Sequence, residues 1–388
     1  MTFLLWIAGT YVAGLWLFHL IDAAIGATRI PVISQPEWDL PLPGRPRLSI
    51  IVPARNEDEH MEATLTRLLQ LDYDNYEVIA VNDRSTDRTG EVMDHVAASC
   101  SSPGRLKVIH IDSLPANWLG KPHAMWTAAN HAHGEWLLFT DADVQFAAQS
   151  VRRALVYAEA SHSDHLVLLP RMIMHQAGET MMLAFFQTLF VFGHRPWKTA
   201  DPKAKDHIGV GAFNLIRRSV YDSLGGYKAL RFEVLDDMKL GKRVKNGGYV
   251  QRVVFGDDLI SIRWAKGALG VIENLTKNLF ALMSFRWPLA LFSSVVLLFV
   301  NVMPFVGVLV AHGWARLPFA AALFAMFAIY VGMSWRSDVP PYYFVLHPVS
   351  ATLFAYTMLR STLLTLKRGG VIWRGTFYPL DELRKGLV

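Results

Sequence analysis

Two clusters of carboxylates stand directly after short apolar runs. Val81-Asn82-Asp83-Arg84-Ser85-Thr86-Asp87 closes one run, and Phe139-Thr140-Asp141-Ala142-Asp143 closes another. With a side-chain period of two, Asp141 and Asp143 point the same way if strand geometry continues past the run, so both can face one hard cation. Mg2+ or Mn2+ held by one or two carboxylates together with a substrate diphosphate is the usual arrangement for such ions. A cation there would neutralise the charge that develops on a departing nucleoside diphosphate. Alone, a D-x-D pair is equally a turn or helix-start cap, so its company decides. A further pair, Asp236-Asp237, precedes a helical pattern through Met238, Leu240 and Val244, where carboxylates also favour the positive end of a helix.

The elements that must position these acids are short β-branched runs at Leu48 to Pro53, Tyr76 to Asn82, Leu106 to Ile111, Glu135 to Thr140 and His165 to Leu169. Helical patterns lie between them. Asn56 can cap a helix with Glu59 three residues on and an apolar stripe of Met61, Leu65, Leu68 and Leu69, and Ser85 or Thr86 can cap another through Val92 and Val96. Strand, helix, strand at this spacing predicts βαβ units and a mostly parallel sheet, with ligands at the carboxyl ends of the strands. A dinucleotide fold is unsupported, because Pro53-Ala54-Arg55-Asn56-Glu57 stands where G-x-G-x-x-G is required. Gly120-Lys121-Pro122 likewise does not make a phosphate-binding P-loop. There is no H-E-x-x-H, and His131 and His133 read as a helix end. The single cysteine, Cys100, excludes a disulfide framework and any multi-cysteine metal site.

Of 388 residues, 52% are hydrophobic and 18% charged, outside the soluble norm of roughly 25% charged. Phe3 to Ala27 is long enough to span a bilayer. No Lys or Arg precedes it, and Arg29, Arg45 and Arg47 follow, which places the N-terminus outside and the next domain in the cytoplasm. Without a basic n-region the segment reads as an anchor rather than a cleaved signal. Leu289 to Ala311, Leu317 to Ser334 and Tyr342 to Leu366 are three further expected spans. The last contains His347 and Arg360, and a shorter, tilted or re-entrant segment would have the same composition. Four spans put the tail from Lys367 opposite the cytoplasmic domain. Its Lys367, Arg368, Arg374, Arg384 and Lys385 favour the cytoplasm instead, and the span count is preferred. Lys266 to Arg286 reads as an interfacial helix or, on pattern alone, a core helix of the soluble domain. The net charge of +5 comes from scattered or membrane-flanking basic residues, so no nucleic-acid partner is expected. The expected layout is an anchor at 1–27, a Pro-rich linker at 28–47, a catalytic domain at 48–260, an interfacial region at 261–288, membrane helices at 289–366 and a basic tail at 367–388.

V-P-A-R-N-E at 52–57, N-D-R-S-T-D at 82–87, G-K at 120–121, D-A-D at 141–143 and L-D-D-M-K-L-G at 235–241 stand in the order and spacing of family-2 glycosyltransferases. The resemblance covers roughly residues 48–260. With its flanking spans the chain resembles the membrane-bound branch that glycosylates lipids, such as the ceramide, hopanoid-associated and carotenoid enzymes. The resemblance implies an α/β GT-A fold, a nucleotide-diphosphate sugar donor taken to be a UDP-sugar, Mg2+ or Mn2+, inversion at the anomeric carbon, a lipid acceptor and a bacterial inner membrane.

Carried over by motif, it implies that Pro53, Ala54, Arg55 and Glu57 line the nucleotide pocket, that Asp83 binds base or ribose, and that Lys121 lies near the donor. Asp141 and Asp143 match the metal motif. Asp236-Asp237 stands where the family usually has Glu-Asp, whose second acid is the general base, so Asp237 is the expected base and Asp236 the next candidate. Gly209, Gly211, Ala212 and Phe213 resemble the acceptor-site loop, although glycines there could equally serve a positive φ. Processive members carry a (Q/R)-x-x-R-W motif, whereas Arg263-Trp264 has Ile260 at its first position and Arg286-Trp287 has Met283. A processive polysaccharide synthase is therefore disfavoured. A nucleotidyltransferase would want a Gly-rich loop after the first strand. A non-catalytic membrane scaffold would have lost acids that this chain retains. Trp373 to Tyr378 looks like a tail of related bacterial membrane enzymes and receives no role.

Overall fold

The computed structural model describes residues 2–42 and 44–386. The chain divides into two compact units: one takes in residues 30–171, 196–263 and the stretch from Asp381, the other the chain up to Arg29, Met172–Arg195 and Trp264–Leu380.

The first unit is built on β1 (Leu48–Ala54), β2 (Tyr76–Asp83), β3 (Leu106–Ile111), β4 (Trp136–Phe139), β5 (Val144–Phe146), β6 (His165–Leu169), β7 (Arg171–Met172, where the chain leaves the unit), β8 (Asn214–Arg217), β9 (Gln251–Phe255) and β10 (Ile260–Ile262). Seven of them form one sheet in the order β3-β2-β1-β4-β8-β6-β9. The β1–β2, β2–β3, β1–β4 and β6–β9 pairs are parallel, and β8 runs against both β4 and β6. The expected βαβ units are therefore present, with one reversed strand inserted beside β4. That reversal brings the loop before β8 to the carboxyl end of β4, where Asp141 stands.

Packing fixes two helices to this end of the sheet. Ala124, Met125 and Ala128 of helix Gly120–His131 and Leu240 and Val244 of helix Asp236–Asn246 share one core cluster with Ile51, Ile79, Val81, Leu137 and Phe139. Each fully buried large apolar side chain contributes roughly 1.5–3 kcal/mol. The helices carrying Lys121 and Asp236-Asp237 are thus anchored by the same apolar layer that holds the strands.

Two expected caps are replaced by cross-loop bonds. Helix Asp58–Leu69 starts after Glu57, without a side-chain cap. Asn56, at φ +56°, instead accepts the Thr86 N–H at 2.8 Å. Neither Ser85 nor Thr86 caps helix Thr89–Ala98; Asp87 accepts the Thr89 N–H at 2.9 Å. The stripe of Met61, Leu65 and Leu68 is buried as expected.

In the second unit, Thr2–Ala27, Trp287–Val310 and Gly313–Ser334 are long and apolar enough to cross a membrane. Thr2–Ala27 packs closely on Arg316–Ser334: a Cβ at Gly9 would lie 3.1 Å from the Phe319 ring. Small residues permit such close approach between membrane helices. The expected fourth span is divided into a 3-10 turn, Pro341–Leu346, and a helix, His347–Arg368, which does not meet the same apolar standard. Its buried face carries Ser, Thr and His, which lowers its mean hydropathy. Lys266 to Arg286 forms two helices, Gly267–Thr276 and Leu279–Leu282, within this unit rather than a core helix of the sheet unit.

Candidate active site

The first half of the site is a pair of loops at the ends of β1 and β2. The Glu57 N–H donates to Thr89 Oγ1 at 2.8 Å, the Asn56 N–H to Ser85 Oγ at 3.1 Å and the Asp58 N–H to an Asp87 oxygen at 3.3 Å. Pro53 and Ala54 end β1, and Arg55 and Glu57 follow within this clasp. The loop pair is fixed by hydrogen bonds rather than by glycines, so a Gly-rich turn is not required. Asp83 is buried, and Arg84 donates to its two oxygens at 2.7 and 3.0 Å. Any base or ribose contact by Asp83 is therefore shared with this guanidinium.

The second half is a charge cluster. β4 ends at Phe139, and Asp141 and Asp143 lie in the turn between β4 and β5, so the continued strand on which their common direction was expected is absent. Lys121, in the first turn of its helix, donates to Asp141 Oδ1 at 2.6 Å and lies 4.0 Å from Asp236 Oδ1. It is not a surface lysine. Asp236 is 3% exposed and its Oδ2 has no hydrogen-bond partner. Asp237 accepts the Met238 N–H at 2.7 Å and a bond from the Gly211 N–H.

Burial pushes both acids above the usual carboxylate range. Lys121 opposes that shift at each, while the neighbouring carboxylates reinforce it. Burial depresses the Lys121 ammonium, but Asp141, Asp236 and Asp237 together outweigh it and hold Lys121 charged. Stacking like charges costs stability, and such arrangements concentrate at functional sites.

Glycine spacing finds its cause here. A Cβ at Gly209 would lie 1.8 Å from the Asp237 carbonyl oxygen, and one at Gly211 would lie 2.3 Å from Asp141 Oδ2. Neither glycine has a positive φ, so close approach, not turn conformation, demands them. Ala212 and Phe213 are core residues: both are buried, and Phe213 lies against the Phe146 ring at 6.1 Å. They pack into the core directly before β8 begins at Asn214 and so hold the loop from behind.

Sequence reasoning missed what holds this loop. The Asp141 N–H donates to Gly211 O at 2.9 Å and Thr140 Oγ1 to Ala212 O at 2.8 Å. Behind it, Gln251 Nε2 donates to His165 Nδ1 at 2.8 Å, so His165 carries its proton on Nε2 and donates to Asn214 Oδ1 at 3.0 Å. Asn214 Nδ2 and Gln251 Nε2 donate in turn to Val210 O and Ile208 O at 2.9 and 3.0 Å. Tyr227, buried on Phe139 at 4.9 Å, lies in the field of the same acids. No spacing rule signals any of these residues.

Burial lowers the His165 pKa to about 4, with the bond to Asn214 only partly opposing it. The unfolded state therefore binds the proton more readily, and stability present above pH 6.5 is lost as pH falls toward 4. The depression corresponds to about 3 kcal/mol. Thermal midpoints in detergent should drop between pH 7 and 4.5, and less so in His165→Gln. An equal drop in that variant would show that His165 is not responsible.

Asp141, Asp143 and substrate oxygens make an all-oxygen donor set that suits a hard divalent cation. Among the described residues no cluster of three or more His, Cys, Asp or Glu side chains could hold a metal without such help.

Residues 49–225 match the family model Glycosyl transferase family 2. The chain is 24% identical over 346 residues to the 4,4'-diaponeurosporenoate glycosyltransferase of Staphylococcus aureus, across 86% of this chain and 89% of that protein. Its fold is similar to that of a mannosyltransferase from Pyrobaculum calidifontis solved with GDP-Man and Mn2+, at TM-score 0.55 and 20% identity, covering 93% of this chain and 99% of the other. The sheet unit therefore has the GT-A fold, and the protein is a glycosyltransferase with a family-2 domain.

Proposed function

We propose that this family-2 glycosyltransferase moves a sugar, with inversion, from a UDP-sugar to a hydroxyl or carboxyl of a membrane lipid. The observation that carries the reading is the Lys121–Asp141–Asp236–Asp237 cluster closed by the Gly209–Gly211 backbone. It supplies a half-buried base with raised proton affinity beside Asp141, one of the two carboxylates expected to meet a cation. Asp237 takes the acceptor proton as its oxygen attacks the anomeric carbon. Asp141 and Asp143 would hold Mg2+ or Mn2+, which when bound offsets charge on the leaving diphosphate. Lys121 holds Asp141 in place through its 2.6 Å ion pair, and the loops 53–58 and 82–89 seat the nucleotide. The lipid acceptor is supported by the apolar spans, by the carotenoid-acid name of the S. aureus relative and by the fatty surface of the second unit. We place the protein in a bacterial inner membrane with residues 30–171 and 196–263 in the cytoplasm, following the basic residues after the first span.

The test is transfer by the purified full chain in detergent, with UDP-sugars and a lipid extract. Chelation should remove turnover and added Mn2+ or Mg2+ restore it, and Asp143→Ala should remove it beyond rescue. The product should carry the opposite anomeric configuration to the donor. Full activity in excess chelator would sink the metal role, and a retained anomer would sink single displacement.

A further inference from the structure

Helix His347–Arg368 is inside out for a helix in water. Its buried face mixes His347, Ser350, Thr357, Ser361 and Thr365 with Ala351, Phe354, Ala355 and Met358. The opposite face presents Val349, Tyr356, Leu359, Leu363 and Leu366, between 36 and 67% exposed. A face of leucines outward with hydroxyls inward is satisfied by lipid, not by water.

Its contacts set its depth. His347 Nε2 bonds Asn301 Oδ1 at 2.9 Å, and its Nδ1 bonds the Tyr330 hydroxyl at 3.0 Å. Asn301 lies about 21 Å from Trp287 along helix Trp287–Val310, whose 24 residues run about 36 Å, and so stands near the middle of that helix. Arg360 donates to Thr276 Oγ1 at 2.7 Å and Ser361 accepts the Phe280 N–H at 3.1 Å. Both partners precede Trp287. The helix thus begins at mid-depth and leaves on the face from which Trp287–Val310 starts.

Beyond it, β11 (Gly370–Trp373) and β12 (Thr376–Pro379) form a hairpin closed by Arg374 and Gly375 at φ +46° and +75°. Ile372 and Phe377 are register partners on one face, each 49% exposed. On the other face Lys277 Nζ lies 4.9 Å over the Trp373 ring. Exposed Lys367, Arg368 and Arg374 flank the apolar pair, whereas the far end of the spans offers Arg316 alone among Lys and Arg between residues 287 and 335.

We propose that residues 347–379 are a re-entrant helix ending in a hairpin foot that docks on an anionic phospholipid leaflet. Ile372 and Phe377 enter the headgroup boundary, Lys367, Arg368 and Arg374 meet the headgroup phosphates, and the tail leaves on the Trp287 face. This corrects the four-span expectation: with three crossings, parity and the basic tail agree on the cytoplasm. The inference rests on these helices being membrane-embedded, not on the sugar or its acceptor.

The test uses the full chain carrying Cys100→Ser. In sealed vesicles, Lys385→Cys should label from the same face as Glu273→Cys and from the face opposite to His312→Cys. Labelling of Lys385→Cys with His312→Cys would overturn re-entrance. In nanodiscs, an environment-sensitive fluorophore on Phe377→Cys, or on Ile372→Cys if the first misfolds, should emit to the blue and be quenched by spin-labelled lipid. Quenching by aqueous iodide instead would overturn the foot. Phosphatidylglycerol should strengthen insertion over phosphatidylcholine, and Arg374→Gln should weaken that preference by about fivefold. No effect of phosphatidylglycerol would overturn the headgroup contact.

Discussion

Asp237→Asn should lower sugar transfer about a hundredfold or more in kcat while donor affinity stays within a few-fold. A hydroxyl is a poor nucleophile at neutral pH, so transfer to one depends on a group that takes its proton. Asp237 is half-buried at the first turn of helix Asp236–Asn246, with burial raising its proton affinity and Lys121, the Met238 N–H and the Gly211 N–H restraining the rise. A carboxylate so placed is a stronger base than one in water yet remains ionisable. The amide keeps shape and size, so the loss isolates proton transfer. Stability supplies the control. Because the folded pKa lies above the unfolded one, ionisation at neutral pH works against the fold, and the amide should melt no lower than wild type. Near-normal turnover in Asp237→Asn would move the role to Asp236, a buried carboxylate whose Oδ2 has no hydrogen-bond partner.

The parts of this site visible in the sequence are those where one residue type and one strand end suffice. β1, β2, β4 and β6 are apolar runs buried on both faces, and Asp83 and Asp141 stand at or just past the ends of β2 and β4, so strands and acids could both be placed from pattern. β8 is only four residues, with Asn214 and Arg217 at its ends, and leaves no alternation to read. The polar network behind the loop joins His165 to Asn214 and Gln251, 49 and 86 positions away. Such a contact exists only once β8 has reversed beside β6. The resemblance marked the Gly209–Gly211 loop, but the close approach to Asp141 and Asp237 that demands its glycines is tertiary and has no sign in the sequence. In the membrane unit, a spanning helix and a re-entrant one bury the same hydroxyls and expose the same leucines. Only the pairing of His347 with Asn301 gives the depth.

Lys121→Met should reduce turnover at neutral pH at least tenfold and move the acid limb of the kcat profile to higher pH. Lys121 is the largest influence that lowers the proton affinity of both Asp236 and Asp237. Removing its charge leaves burial and mutual repulsion unopposed, so both carboxylates should hold their protons further into the neutral range. Below the new pKa, each unit of upward shift lowers the ionised fraction about tenfold. Raising the pH should then restore part of the rate, which simple loss of donor binding would not do. Asp141 also loses its 2.6 Å partner, so the donor KM should rise as well, and the two effects separate in a kcat and KM measurement across pH. Lys121→Arg keeps the charge but replaces a compact ammonium with a planar fork. It should hold the acid limb near its wild-type position while turnover stays reduced, because the fork does not reproduce the short contact to Asp141. An acid limb that stays in place in Lys121→Met would mean that Lys121 does not set the ionisation of the base, and that its role is confined to Asp141.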